Sequence, residues 1–165
     1  KDRRRLVFDE RSLERVRERL RSAWLIELAD YWIARRGDRP MPRRDDIDQA
    51  DLKAHVPRLI LAEVWHAPLR FHLQMVGTEL EEKLGRRITG EVLTEEWPMF
   101  FRPYAKCATN VRAVREFLSF SLGDSEAPAT FERLLLPVSD DGETVHGILG
   151  EAVYTNLTTD PGNLV

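Results

Sequence analysis

The chain has 165 residues, about the length of one domain, and its 42% hydrophobic and 32% charged residues are typical of a soluble globular protein. It contains no apolar run close to the roughly 20 residues that span a bilayer, and no segment with the pattern of a signal peptide. Its single cysteine, Cys107, cannot form an internal disulfide. We therefore expect a cytoplasmic protein without a membrane span.

Charge is unevenly distributed along the chain. The net charge is −3, but residues 1–21 carry nine basic and five acidic side chains. One interpretation is a basic arm for an acidic partner or a nucleic acid. The favoured interpretation is a solvated amphipathic helix, because Glu14 and Glu18 stand at helical spacing from Arg17 and Arg21. With a negative chain overall, no nucleic-acid partner is expected.

The first of two predicted N-terminal helices has a narrow apolar stripe. Asp9 or Ser12 can cap this helix, and the stripe consists of Leu13, Val16 and Leu20. One thin stripe does not stabilise an isolated helix, so these residues must pack on something.

The second helix begins at Ser22, a candidate cap, and ends at Gly37. It places Leu25, Leu28 and Trp32 on one face.

A turn-rich, proline-containing connector follows up to residue 57. Within it, Asp46 or Asp48 is expected to cap backbone amides of a turn that docks the helices on the rest of the chain. An anion site built from Arg43 and Arg44 is the alternative.

Beyond the connector the apolar period changes from 3.6 to 2. Residues 58–65 and 70–76 predict a β-hairpin, in which Phe71, Leu73 and Met75 share one face.

The second half of the chain begins with helices and ends with strands. Thr78 and Glu81 form a capping box for a short helix. A longer helix is predicted over 94–114, and Pro103 predicts a kink or break in it. Three strands then follow, at residues 115–122, 129–138 and 144–154.

These elements predict an α+β domain with one five-stranded antiparallel sheet and helices on one face. Phe117, Val145, Leu149 and Val153 alternate onto the other face, which therefore needs a second cover. We expect the N-terminal helices to pack there. The predicted organisation is a basic amphipathic helix (1–21), one domain (22–155) and a C-terminal tail (156–165).

Several motifs are spaced along the predicted domain. They are WxxxRG (residues 32–37), MPRRDDID (41–48), VPRL (56–59), FHLQMVGT (71–78), RRITG (86–90), RLLLPV (133–138) and GILG (147–150). In this order they resemble a PAS-like family of bacterial, chiefly proteobacterial, single-domain proteins. The resemblance implies a PAS fold and a sensor or interaction module, with no agreed ligand and no catalytic motif to carry over.

The residues themselves give no sign of catalytic or metal chemistry. The four histidines form none of the usual metal-binding pairs, and serine-nucleophile elbows and phosphate-binding loops are absent from the sequence. A haem would need an axial histidine within residues 78–113, which contain none, and Cys107 lacks the surroundings of a flavin photosensor. An enzyme of the cone-shaped α+β class is disfavoured, because His72 faces outward and no inward-facing acid stands beside His146. We expect no enzyme activity, no metal and no cofactor.

A ligand pocket, where a PAS-like domain has one, lies between the sheet and its helices. The candidate lining residues are Phe71, Leu73, Met75, Phe101, Tyr104, Cys107, Phe120, Leu136 and Ile148. A closed core is favoured over an open pocket, because large side chains fill such a space.

Interaction surfaces are expected on the N-terminal helices. The candidate interface residues are Leu13, Val16, Leu20, Trp24, Leu28 and Trp32, and a homodimer through the first helix is expected. The function that fits best is a sensory or regulatory module that acts through contacts with a signalling protein. The alternative is a small-molecule sensor for a metabolite or second messenger, and a saturable ligand would distinguish the two.

Overall fold

The structure, a computed structural model, describes residues 7–121 and 128–156. Within them, four helices and six strands are formed. The helices are α1 (Glu10–Arg19), α2 (Ala23–Arg36), α3 (Thr78–Leu84) and α4 (Pro98–Thr109). The strands are β1 (Leu59–Trp65), β2 (Arg70–Val76), β3 (Val92–Leu93), β4 (Val114–Phe120), β5 (Ala129–Val138) and β6 (Gly147–Thr155).

All strands join one antiparallel sheet in the order β3-β2-β1-β6-β5-β4. This confirms the predicted α+β class, with one strand more than the five expected. The additional strand, β3, has two residues that pair with Phe71 and His72, and a segment this short has no periodicity to detect. Some of the predicted segments lie outside the described residues. These are residues 1–6 of the predicted N-terminal helix segment, residue 122 at the end of the strand predicted over 115–122, and the tail beyond residue 156.

Helices cover both faces of the sheet. Consecutive residues of a strand point to opposite faces, and β5 shows which helix lies on each. Glu132 accepts hydrogen bonds from backbone amides that precede α2, whereas the Arg133 guanidinium lies 5.3 Å from the Tyr104 ring of α4. The packing of α2 on the second face is therefore as expected, and its Trp32 Nε1 donates to the Pro137 carbonyl at 2.9 Å.

A β-bulge changes the predicted face of one side chain in β2. The register shifts between Leu61 and Ala62, so that Ala62 pairs with Leu73 but Leu61 pairs with Met75. Met75 consequently lies on the α2 side, and Val76 instead is buried with Phe71 and Leu73 on the α4 side.

Two helix predictions need correction. α4 covers Pro98–Thr109 rather than residues 94–114, and it continues through Pro103 without a break. Pro103 is the sixth of the twelve residues of α4, and it removes one backbone hydrogen bond, to the Met99 carbonyl. The predicted capping box of α3 is also wrong: Gly77 is the N-cap residue, and the Glu81 carboxylate accepts from the amides of Ile88 and Thr89.

Gly77 is required by a close approach rather than by its backbone angles. Its φ of −59° is open to any residue. A Cβ on Gly77 would lie 2.2 Å from the Pro57 carbonyl carbon and oxygen. The turn before β1 therefore packs directly on the junction between β2 and α3.

Candidate functional site

The space between the sheet and α4, where a pocket was predicted, is filled by aromatic side chains. The Phe71 ring centroid lies 5.4 Å from that of Phe101 and 5.5 Å from that of Tyr104. Leu73, Cys107 and Ile148 are buried beside them. These side chains form a packed core rather than an open cavity.

Three of the nine predicted lining residues do not belong to this core. Met75 is on the α2 side because of the bulge, and Leu136 is there because it pairs with Leu149 rather than with an α4-side residue. Phe120 lies at the outer end of β4 and is 36% exposed. β5 is apolar on both faces, so alternation alone does not assign Leu136 to one of them.

Ionisable groups on the α4 side are shielded from water. Burial raises the pKa of the Cys107 thiol far above its ordinary value and also raises the pKa of Tyr104. Arg133 donates from Nε to Glu116 at 2.7 Å, which neutralises its charge next to the Tyr104 ring. A thiol held in its neutral form is a poor nucleophile, so Cys107 acts here as a small core residue.

The α2 side contains a buried ionic cluster that the sequence did not reveal. His55 Nδ1 lies 2.7 Å from Oε1 of Glu151, and Arg58 Nε donates to Oε2 of the same carboxylate at 3.2 Å. Glu151 is fully buried. Burial raises the pKa of Glu151, and the hydrogen bond from His55 and the charge of Arg58 oppose this rise.

One side of this cluster is closed by a tryptophan that reaches the surface. The Arg58 guanidinium lies 4.1 Å from the Trp24 ring centroid, and the His55 ring meets Trp24 edge-on at 5.1 Å. Trp24 is 38% exposed, and the exposed Glu27 lies 3.4 Å from His55 Nε2. The cluster therefore fixes the side chains beneath an exposed aromatic surface.

A second buried carboxylate holds the junction between α1 and α2. Glu132 accepts from the amides of Arg21 and Ser22, at 3.1 and 2.9 Å, and from Arg115 Nε at 2.8 Å. Ser22 occupies the N-cap position, but its side chain makes no capping hydrogen bond. Glu132 thus accepts from the amide of the N-cap residue itself, the donor that the N3 side chain of a capping box usually satisfies.

Most of the predicted interface residues are buried inside the chain. Leu13, Val16, Leu20, Leu28 and Trp32 all belong to the core cluster. They stabilise the packing of α1 and α2 and offer little surface to another chain. Of the six residues, Trp24 presents a substantial exposed area, and a role for it in an interface stays a prediction.

An exposed apolar surface lies instead at the start of α4. Trp97, Met99 and Phe100 are 63%, 85% and 50% exposed, and we call these three residues the α4 apolar patch. The sequence contains a signal for it, because helical spacing from Phe101 and Tyr104 directs Met99 to the opposite side of the helix.

Of the two connector arginines proposed for an anion site, Arg44 pairs its side chain with an acid, and Arg43 donates to one from its backbone. Arg44 donates to Asp140 from its backbone amide and from its guanidinium, and the Arg43 amide donates to Asp46 Oδ2 at 2.8 Å. A surface pocket of about 230 Å³ is nearby, between Arg39–Arg43 and the turn at residues 139–142. The acids of that turn disfavour an anionic ligand there.

The described part of the chain shows no metal or membrane-spanning element. In residues 7–121 and 128–156, no three His, Cys, Asp or Glu side chains are grouped so as to hold a metal ion. None of the helices within these ranges has the length and hydropathy needed to cross a bilayer.

Comparison with known proteins assigns the fold to a family. The PAS domain family model matches residues 20–153, which is most of the chain. The chain therefore belongs to the PAS domain family, a class of sensory and regulatory modules. No curated protein matches the sequence.

Proposed function

We propose that this PAS domain is a non-catalytic regulatory module of a signalling system that acts through protein–protein contacts, as a homodimer and with a signalling protein. The observation that carries the proposal is the contrast between the packed side of α4 and its exposed start. The inner side, with Phe101, Tyr104 and Cys107, is packed against the sheet, whereas the α4 apolar patch at the start of the helix is exposed. A filled core leaves little room for a ligand, and exposed aromatic and methionine side chains are enriched where proteins bind one another.

The packing of the N-terminal helices supports a single compact module. α1 lies ahead of all the matched residues, but its Leu13 and Val16 are buried in the common core. Glu132 ties the α1–α2 junction to β5. A contact made on α1 or α2 would therefore be transmitted to the sheet through hydrogen-bonded groups.

A small-molecule sensor is the second candidate, favoured by polar groups on the inner face of the sheet. Arg133 and Tyr104 meet there beside the packed rings, and Arg133 could exchange Glu116 for an anionic ligand group. Such a ligand would have to displace core side chains. This requirement makes the interaction module the better-supported function.

Native mass spectrometry of the purified chain distinguishes the two functions. If the chain is an interaction module, the spectrum should show the mass of the polypeptide without ligand, as a monomer or an oligomer. An additional mass that is lost on denaturation would contradict the closed core and identify the chain as a ligand-loaded sensor. The Phe71→Ala variant is the matched control, because an enlarged inner space should raise the occupancy of any ligand that binds between the sheet and α4.

A further inference from the structure

The two edges of the sheet differ in what covers them. At one edge, β2 pairs with β3 and with the segment before it, and the Leu73 amide donates to the Glu91 carbonyl at 2.9 Å. At the other edge the strand order ends with β4, and no strand within residues 7–121 and 128–156 pairs with its outer side. A strand edge without a neighbour is a template for the backbone of another chain.

β4 lacks the features that usually protect an edge strand. It pairs with β5 over its whole length without a bulge, and it contains no proline or lysine. Its two charged side chains are engaged by the neighbouring strand, because Arg115 bonds to Glu132 and Glu116 accepts from Arg133. Both charges are thus paired with β5 rather than held at the open edge.

The second half of this edge is exposed, and its two faces differ in character. On the α4 side, Leu118 and Phe120 are 61% and 36% exposed, and Ser119 between them is exposed as well. On the α2 side, the Arg21 guanidinium lies 4.3 Å from the centroid of the Phe117 ring. One face is therefore apolar and the other is basic.

Arginines of α1 extend the basic face. Arg11, Arg15 and Arg19 stand four residues apart and so form one row along the helix. The opposite flank of α1 is directed to α2, because Arg17 pairs with Asp30 at 2.6 Å. The arginine row therefore faces away from α2.

The contacts of α1 place the end of this row beside the exposed half of β4. Ser12 Oγ accepts from the Ala113 amide at 3.0 Å, directly before β4, and Arg21 reaches Phe117 within the strand. α1 thus runs in the same direction as the first half of β4 and ends where the exposed half begins. In the described part of the chain, neither Arg19 nor Arg21 has an ion-pair partner.

We propose that an extended segment of a partner protein, in which acidic and apolar residues alternate, adds to the sheet as a strand beside β4. Its backbone continues the hydrogen-bond ladder. Successive side chains of a strand point to opposite faces, so its acidic side chains meet Arg19 and Arg21 and its apolar side chains cover Leu118 and Phe120. The proposal rests on the proposed function, since it names the chemistry of the segment that the signalling partner contributes.

Other occupants match this edge less well. An antiparallel pair of β4 strands from two copies of the chain would bring the arginines of both copies together, because the α2 sides of both sheets would face the same way. A basic segment would be repelled by the same arginines. A single-stranded nucleic acid would meet the arginines but has no peptide groups to continue the ladder.

The test is fluorescence anisotropy of the full chain with a labelled peptide in which glutamate and valine alternate. This peptide should bind saturably. The same peptide with an N-methylated backbone keeps its charge and side chains but has no amide hydrogens for the ladder, so it should bind at least about 10-fold more weakly. Equal binding of the two peptides would overturn the proposal, since charge alone would then explain the contact.

Substitutions on each face test where the peptide binds. Arg19→Ser combined with Arg21→Ser should weaken binding about 10-fold, whereas Arg102→Ser, which removes an exposed arginine of α4, should not change it. Leu118→Ser should weaken binding about 5-fold. Leu84→Ser, at a 44% exposed leucine of α3, is its matched control and should have no effect. Thermal melting should show that all variants stay folded, since every altered side chain is exposed.

Equal losses in the matched controls would overturn the proposal, as would the absence of saturable binding. Tighter binding of a single-stranded oligothymidylate than of the alternating peptide would also overturn it and identify a nucleic-acid surface instead. Absence of peptide binding leaves the proposed contact through the α4 apolar patch intact. Conversely, a tightly bound small molecule found by native mass spectrometry would overturn the proposed function without affecting the β4 edge.

Discussion

Glu151 is a buried carboxylate whose two partners, His55 and Arg58, are buried with it. Replacing it with leucine would leave His55 and Arg58 without their acceptor in a space that excludes water. We expect Glu151→Leu to lower the free energy of unfolding by about 3 kcal/mol, because breaking a buried pair exposes the full desolvation cost of the remaining charge. Urea denaturation measures this change.

Glu79→Gln is the control for this prediction. Glu79 lies 3.6 Å from Arg58 on the solvent side and is 37% exposed, so its removal should change the free energy of unfolding by about 0.5 kcal/mol or less. Equal effects of the two substitutions would show that the Glu151 cluster is not desolvated.

Asp141, in the turn between β5 and β6, makes the stability of the fold depend on pH in the acidic range. Its carboxylate accepts from the amides of Thr144 and Glu143, at 2.7 and 2.8 Å, and these bonds lower its pKa from 3.8 to about 2. Because the pKa is lower in the folded state, its contribution to stability is present above pH 3.8 and is lost as the pH falls towards 2.

We expect Asp141→Asn to flatten the fall in the free energy of unfolding between these two pH values. Urea denaturation over a pH series measures it. Asp38→Asn, at an exposed position outside the turn, should leave the slope unchanged. If Asp38→Asn flattened the curve as much, the turn hydrogen bonds would not be its cause.

At the scale of elements, the start of α2 depends on a distant residue rather than on its own cap. Ser22→Ala should change the free energy of unfolding by less than about 0.5 kcal/mol, below the roughly 1 kcal/mol typical of an N-cap serine. Glu132→Ala should cost about 2 kcal/mol, because it leaves backbone amides and Arg115 without their acceptor.

Hydrogen exchange tests the same prediction at the individual backbone amides before α2. Exchange of the Arg21 and Ser22 amides should accelerate in Glu132→Ala and stay near the wild-type rate in Ser22→Ala. The reverse ranking would mean that the serine, not Glu132, holds the junction.

Periodicity predicted most elements because it reports local burial. The hairpin and the strand at residues 129–138 follow from it, whereas the end of α2 follows from Gly37 as its C-cap. Face assignments failed where local pattern was insufficient. The bulge at β2 inserts one unpaired residue and moves Met75 to the other face, and β5 is apolar on both faces.

At the scale of the whole molecule, the candidate site depends on pairs far apart in the sequence. His55 and Glu151 are 96 residues apart, and the pairing of β1 with β6 brings them together. A histidine in a connector and a glutamate in an apolar strand each look ordinary alone. The signal that was present is Glu151 itself, a charged residue in the apolar strand GILGEAV.

The sequence predicted that the space between the sheet and α4 is filled, but it did not predict which residues fill it. Aromatic residues on the predicted helix and strand indicated that the space would be filled. Their partners required the curvature of the sheet, which brings Phe71 against α4 and leaves Phe120 at the edge. Phe71 and Phe120, which the sequence placed together among the candidate pocket residues, therefore have different surroundings.

The unfolding free energies of Phe71→Ala and Phe120→Ala, measured by urea denaturation, test the closed core most directly. A packed core predicts a loss of about 3–5 kcal/mol for Phe71, which is fully buried, and about 1 kcal/mol or less for Phe120. A loss at Phe71 as small as that at Phe120 would mean that its ring borders an open space. That result would contradict the closed core and favour a ligand-binding sensor.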